Sequence, residues 1–359
     1  MANEKLVGKI QTVLGLIEPS ELGVTLTHEH LLIDLTSIHS GMHRDLPQWA
    51  SRKEFYESPV GLDTIGRIRH YGYPNFDNSR LLSVDTAIEE AILYKEYGGD
   101  SLVDATSIGI ARDPVGLARI SRASGVNVIM GASHYVGDAH PDNMNDISED
   151  AITERIVKDI TEGVDGTTIK SGVIGEVGCS WPLTDNERKV LQASARAQRL
   201  TGAPILIHPG RDETSPLEII AILKESGADL SRTIMGHLDR TVFLRDTLTK
   251  IAESGCYMEW DLFGREQSFY GANINIDMPS DAKRISDIAW LISEGYGKKI
   301  VIAHDICSKD RLECYGGHGY SYILGFVIPR MRERGYNEDD IQNILVNNTR
   351  DILTFTDVN

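Results

Sequence analysis

No stretch of the 359 residues approaches the roughly 20 consecutive apolar positions of a membrane span. The opening MANEKLVGKI has no apolar core of signal-peptide length. Cysteine is scarce. Cys179, Cys256, Cys307 and Cys314 are scattered and form no C-x-x-C pair, which argues against both a thiolate zinc site and a disulfide framework. Basic residues are outnumbered, 36 Lys and Arg against 53 Asp and Glu, for a formal charge of −17. Nucleic acid and anionic membrane both require a basic face, so neither is an expected partner. Together these absences describe a cytoplasmic chain with reduced, mostly buried thiols. The hydrophobic fraction of 41% is that of a globular protein, long enough for one large α/β domain or two ordinary ones.

What is present is a regular alternation. Short apolar runs that read as strands are VTLTHEH (24–30), DSLVDAT (100–106), VNVIMGA (126–132), GVIGEVG (172–178), APILIHP (203–209), TIMGHL (233–238), CYMEWDL (256–262) and KIVIAHD (299–305). Helix-period segments lie between them. One is SVDTAIEEAILYKEYGG (83–99), opened by Ser83; another is TDNERKVLQASARAQRLTG (184–202), opened by a Thr184-x-x-Glu187 capping box and stopped at Gly202. Eight such repeats predict a parallel sheet closed into a (β/α)8 TIM barrel, read as one domain over 1–359. An open doubly wound sheet is the runner-up, but HEHLLID lacks the glycine-rich phosphate turn expected after its first strand. Residues 6–22 read as a short strand pair capping the barrel's bottom. Residues 34–82 make an unusually long connection after strand one, which the topology places on the catalytic face as a lid or pocket wall.

The stretch TLTHEHLLID (25–34) sets His28 and His30 two residues apart, so alternation points both to one strand face. Alone, that is as compatible with unrelated histidines as with half a metal site. The other strand ends decide between the two. Strand four ends in Glu176, strand five in His208, strand six in His237 and strand eight in Asp305. Six ligand-type residues at the mouths of five strands are hard to explain as core filling, because buried His, Glu and Asp need partners. The pattern reads as a two-metal site. His28, His30 and Asp305 hold an inner ion, His208 and His237 an outer one, and Glu176 bridges them. Imidazole with carboxylate suits Zn²⁺, with Mn²⁺, Co²⁺ or Fe²⁺ as alternatives. Two cations about 3.5–4 Å apart can share a water and lower its pKa towards neutrality, with Asp305 placed to take its proton.

The segments TLTHEH, IARDP, GVIGEVGCSWPLTDNERKVLQA, ILIHPGR, GHLDR, AHDI and GGHGYSYIL resemble, in order and over nearly the whole chain, the phosphotriesterase family of the amidohydrolase superfamily. They resemble its animal-type phosphotriesterase-related branch more than its organophosphate-degrading members. The resemblance implies a barrel with a binuclear, usually zinc, centre, and metal-ligand roles for the same six residues. Dimers are common in that family, so a homodimer is admitted, although nothing in the sequence fixes an interface. Two departures stand out. Organophosphate-degrading members bridge their metals with a carboxylated lysine, where this chain has Glu176; Lys170, six residues earlier, would lie roughly 20 Å away. Their outward proton route is matched here by Arg240 and Leu262, which weighs against phosphotriester hydrolysis.

Tyr135, Arg211, Arg240 and His318 are the candidate substrate-binding residues. The arginines either grip an anionic group or pair with Asp239 or Asp212. Tyr135 is expected to wall the pocket, and His318, with Tyr320, either contacts substrate or orders the loop after strand eight. Asp261 can orient a ligand histidine, and Cys179 and Cys307 are expected to pack. His39, His43 and His70 are read as lid or solvent-side residues outside the metal site. The expected activity is hydrolysis of a small, anionic ester, lactone or N-acyl amide. A phosphoester hydrolase and a non-catalytic small-molecule-binding protein are the alternatives.

Overall fold

The structure, a computed structural model, describes residues 6–38, 49–71, 75–267 and 270–358. Two antiparallel strands, β1 (Ile10–Thr12) and β2 (Gly15–Ile17), come first, with Ile10 opposite Ile17. Gln11 ties this hairpin to the barrel by donating through Nε2 to the carbonyls of Ile160 and Ser171, at 2.9 and 2.6 Å.

The barrel strands are β3 (Thr25–Glu29), β6 (Ser101–Asp104), β7 (Asn127–Ala132), β8 (Val173–Gly178), β9 (Ile205–His208), β10 (Thr233–Met235), β11 (Tyr257–Trp260) and β12 (Ile300–Ile302). They pair in parallel in chain order, with helices between most of them, as the alternation predicts. The helix Asp185–Thr201 starts on the predicted capping box of Thr184 and Glu187, and Gly202 ends it at φ +73. That left-handed turn is one glycine adopts without strain. Strands six and eight are shorter than their apolar runs, so His237 and Asp305 stand beyond the ladder. Both hold left-handed backbone, φ +53 and +51, a conformation uncommon outside glycine and frequent at functional sites.

Alternation along the strands separates two layers. Leu26, Leu102, Val128 and Ile205 join the core between barrel and helices. Val103, Ile129, Val173, Leu206, Ile234, Tyr257 and Val301 fill the barrel's interior. Each such apolar side chain contributes roughly 2 kcal/mol by leaving water.

Two bulges interrupt this order. Between the pairs Leu26–Leu102 and Glu29–Asp104, Thr27 and His28 together oppose Val103. Between Ile174–Ile205 and Val177–Ile207, Gly175 and Glu176 together oppose Leu206. A bulge reverses the facing of the residues after it. Leu26 packs outward, so unbroken alternation would carry His28 and His30 outward too; the bulge turns them in. At the second bulge a Cβ on residue 175 would meet the Leu206 carbonyl oxygen at 2.3 Å, so only glycine fits.

The seam between β3 and β12 closes differently. Asp305 N donates to the His28 carbonyl (3.1 Å), and the Glu29 carboxylate accepts from the backbone N–H groups of His304 (2.8 Å) and Ile306 (3.1 Å). The long connection carries β4 (Ile33–Asp34) paired with β5 (Arg80–Leu81), and helices Trp49–Glu57 and Ile65–Tyr71. His39 and His43 lie outside the described residues, and His70 is exposed. No helix among the described residues is long and apolar enough to cross a membrane.

Candidate metal centre

The six predicted ligands converge at the C-terminal ends of the strands, all of them buried. His28, His30 and Asp305 offer three ligand atoms within 4.8 Å of one another, and so do His28, Glu176 and His237. His30 Nε2 lies 3.2 Å from Asp305 Oδ1 and 3.3 Å from Glu176 Oε1. A further triangle joins Glu176 Oε2, His208 Nδ1 and His237 Nε2, with sides of 2.7, 2.8 and 3.5 Å. Glu176 therefore touches both groups, one oxygen facing His30 and the other facing His28, His208 and His237.

A second set of acids orients these imidazoles. Asp261 accepts from the His237 backbone N–H through Oδ2 and lies beside its ring Nδ1 through Oδ1, both at 2.7 Å. Asp261 Oδ2 is also 3.3 Å from His28 Nδ1, and Glu259 Oε2 lies 3.1 Å from the same nitrogen. Thr27 donates to Glu259, and the Thr106 hydroxyl sits 2.9 Å from His30 Nδ1. Fixing the far nitrogen of each ring aims the near one at the centre. Asp261 was legible as an orienting group; Glu259 was missed, although it shares with Tyr257 and Asp261 the inward face of a strand read from CYMEWDL.

The electrostatics favour a cation. Burial alone would lower the basicity of His30, but Asp305 and Glu176 outweigh it and lift its pKa to about 9. His28 rises well above its ordinary value against the same burial, through Glu176 and Asp261, and His237 rises through Asp261. Burial would raise Glu176, yet His208 and His28 hold it well below the usual carboxylate range. His208 moves the other way: burial, helped by His237 and Arg240, keeps it neutral despite Glu176. The centre thus pulls positive charge onto three imidazoles packed against carboxylates. His28 Nε2 is buried there with no hydrogen-bond partner among the described residues. An orphaned imidazole nitrogen among carboxylates, in a nitrogen-and-oxygen donor set, fits divalent metal of the zinc type.

A cavity of about 120 Å³ opens above the centre, lined by His30, His208 and Asp305 and by all but one of the predicted substrate residues. Tyr135 forms one wall, its hydroxyl 3.4 Å from His208 Nδ1. Arg211 donates through Nε to the Tyr270 hydroxyl at 2.7 Å rather than to Asp212. Arg240 is buried and donates to His208 Nε2 at 3.1 Å; its neighbour Asp239 pairs instead with Arg284 at 2.7 Å. Arg265 and Tyr270 complete the cationic side, and neither was singled out in the sequence. Burial raises the Tyr270 phenol, but Arg211, Arg240 and Arg265 bring it down to about 8. His318 lines a different cavity. Tyr320 donates to the His30 carbonyl at 2.8 Å, and Cys179 and Cys307 join the apolar core.

The model of the phosphotriesterase family matches residues 8–353. Among curated proteins, a phosphotriesterase-related protein of Nematostella vectensis is 47% identical over 351 residues, covering 97% of this chain and 99% of that one. An N-acetyltaurine hydrolase of Homo sapiens is 45% identical over 351 residues, covering 98% of this chain and 99% of its own. Among solved structures, a resiniferatoxin-binding protein from Rhodobacter sphaeroides superposes with a TM-score of 0.91 at 34% identity, covering 96% of this chain and 95% of that one. Family match and barrel architecture agree with the resemblance read from the motifs: the chain belongs to the phosphotriesterase family, and is a hydrolase of the metal-dependent type.

Proposed function

We propose that this chain hydrolyses N-acyl amides whose amine portion carries a sulfonate or carboxylate, and that it does so over two divalent ions, zinc in the first instance. The observation that carries the reading is the cationic side of the cavity, where Arg211, Arg240 and Arg265 line a space of about 120 Å³ shared with His30, His208 and Asp305. At about 120 Å³ the space is smaller than the roughly 150 Å³ cavity that holds benzene, which limits the occupant to a small molecule and excludes a polymer. The relatives named N-acetyltaurine hydrolase support the same class.

His28, His30 and Asp305 would hold one ion, His208 and His237 the other, and Glu176 would join them. When bound, such a pair supplies a nucleophile at neutral pH and polarises the carbonyl under attack. The protein does the rest. His30 and neighbouring histidines hold the Asp305 carboxyl below its ordinary value although burial would raise it, so it stands ionised to accept a proton from the attacking water. Asp305 then returns that proton to the departing amine as the C–N bond breaks. Arginine gives the anionic end charge-assisted hydrogen bonds, and Tyr270 adds a hydroxyl beside Arg211. Ile33, Leu35 and Leu262 offer an apolar wall to the acyl methyl. Arg240, which lies 3.1 Å from His208 Nε2 and lines the same cavity as Arg211, would add its charge to the anion-binding side.

The test compares N-acetyltaurine with N-acetylethanolamine, which keeps the amide and lacks the sulfonate, on protein of measured metal content before and after chelation. The expected result is about two ions per chain, loss of activity on their removal, and a preference of about a hundredfold in kcat/KM for the anion. Equal turnover of both amides would refute the anionic reading. Protein without metal or hydrolysis would favour a binding protein on the same barrel, a reading to which the description of the Rhodobacter neighbour lends support.

A further inference from the structure

The parallel ladder runs from β3 round to β12, and among the described residues it does not join those two strands to each other. A side chain takes over at that seam. Glu29 is fully buried and accepts from the backbone N–H of His304 through Oε1 at 2.8 Å and from that of Ile306 through Oε2 at 3.1 Å. Neither N–H has another acceptor among the described residues. Glu29 Oε1 also lies 2.7 Å from His304 Nδ1, while His304 Nε2 accepts from the Ile323 N–H at 3.1 Å. An imidazole that accepts at one nitrogen donates at the other, so the His304 ring is a third donor to Glu29. One carboxylate thus satisfies three buried N–H groups.

Between the two backbone donors stands Asp305. Its left-handed backbone, φ +51, is one that a residue other than glycine keeps only where its surroundings hold it. Its N–H donates to the His28 carbonyl at 3.1 Å, and its Oδ1 lies 3.2 Å from His30 Nε2. Of the triad His28, His30 and Asp305, Glu29 therefore separates two members in sequence and grips the chain on both sides of the third. A shift of residues 304–306 would carry the Asp305 carboxylate away from both imidazoles.

We propose that Glu29, which does not line the cavity, is a positioning residue that sets where the Asp305 carboxylate stands in the metal centre. This rests on the reading of Asp305 as the proton acceptor. A displacement of about 1 Å in a reacting group can cost about a hundredfold in rate. A tie that merely closed the barrel would alter stability and leave the centre as it is.

Cobalt(II)-loaded protein reads the difference without turnover, since its visible bands report ligand geometry. Glu29→Gln keeps the shape of the side chain but turns an amide N–H₂ towards a backbone donor. At saturating cobalt it is expected to hold as many ions per chain as the parent, with displaced bands. On N-acetyltaurine, kcat should fall about 10- to 100-fold with KM within about twofold. Glu29→Asp keeps the charge and draws it back by one methylene. It should also displace the bands and lower kcat about tenfold, and it serves if Glu29→Gln does not fold. Glu90→Gln is the control. Glu90, in the helix Val84–Glu96, is a buried carboxylate that likewise accepts from two backbone N–H groups, those of Glu313 (3.1 Å) and Cys314 (3.0 Å). This variant should unfold at lower denaturant yet keep the parental bands and kcat. Parental bands and kcat in a folded Glu29 variant would overturn the proposal, whatever its stability. Equal displacement of the bands in Glu29→Gln and Glu90→Gln would do the same. A parent that binds cobalt without hydrolysing N-acetyltaurine would refute the proposed activity, while the bands still decide on Glu29. A parent that takes up no cobalt would overturn both.

Discussion

One barrel interior holds two layers of opposite chemistry within a few residues of each other. In the lower layer Val103, Ile129, Leu206, Ile234 and Val301 meet with no polar partner to satisfy. Two residues beyond Leu206 stands His208, and two beyond Tyr257 and four beyond Val301 stand Glu259 and Asp305, all buried and all engaged. The lower layer needs only shape, which many apolar combinations provide. The upper layer needs specific pairs, because an unpartnered buried charge is costly. Stability is therefore concentrated below and chemistry above, on the same strands.

The sharpest way to break that division is His208→Asn. It should lower hydrolysis at least about a hundredfold together with metal content, while thermal unfolding stays close to that of the parent. Full activity with a single ion per chain would sink the two-ion reading. Leu206→Ala tests the other layer. A cavity there should cost about 2–5 kcal/mol in denaturant unfolding, with metal content per folded chain unchanged. A stability loss for His208→Asn as large as that for Leu206→Ala would erase the contrast. Asp261→Asn sits between them, since it touches His237 and His28 but no substrate. Metal affinity should fall about 10- to 100-fold, measured by competition with a chelator, and excess metal should restore activity.

The smallest effect concerns acid. Burial, with His140, Arg155 and Arg112 adding to it, lowers the His134 pKa from 6.5 to about 4. The unfolded chain therefore binds the extra proton between those values. This contribution to stability is complete above about pH 6.5 and lost as pH falls towards 4. His134→Gln should move the acid-unfolding midpoint down by about half a pH unit, followed by circular dichroism. An unchanged or higher midpoint would show that His134 is not among the groups that set it.

How much of this was legible depended on the layer. The apolar lower layer announces itself as strand runs, and the upper layer as the polar residues that end them, so the barrel and the six residues that converge at its mouth were both readable. The reading that His28 and His30 share a face held for a reason the pattern did not contain. Alternation from Leu26 points outward, and a bulge at Thr27–His28 corrects it. Bulges are set by register against a neighbouring strand, which local periodicity does not encode. Tyr270 and Arg265 went unnoticed because they lie in a loop with no period, and they join the cavity only through the closure of the barrel. His318 was placed by its nearness in sequence to Asp305, but the turn at Gly316–Gly319 carries it into the neighbouring cavity.

The seam tied by Glu29 has a consequence in the order of synthesis. His28 and His30 leave the ribosome long before Asp305, yet the three face one another across the β3–β12 seam. Glu29 finds its backbone partners only when residues 304–306 arrive. A nascent chain released short of that point carries most of the barrel and most of the ligands but no assembled centre. Truncation anywhere before β12 should therefore abolish high-affinity metal uptake in a single step rather than in proportion to the length removed.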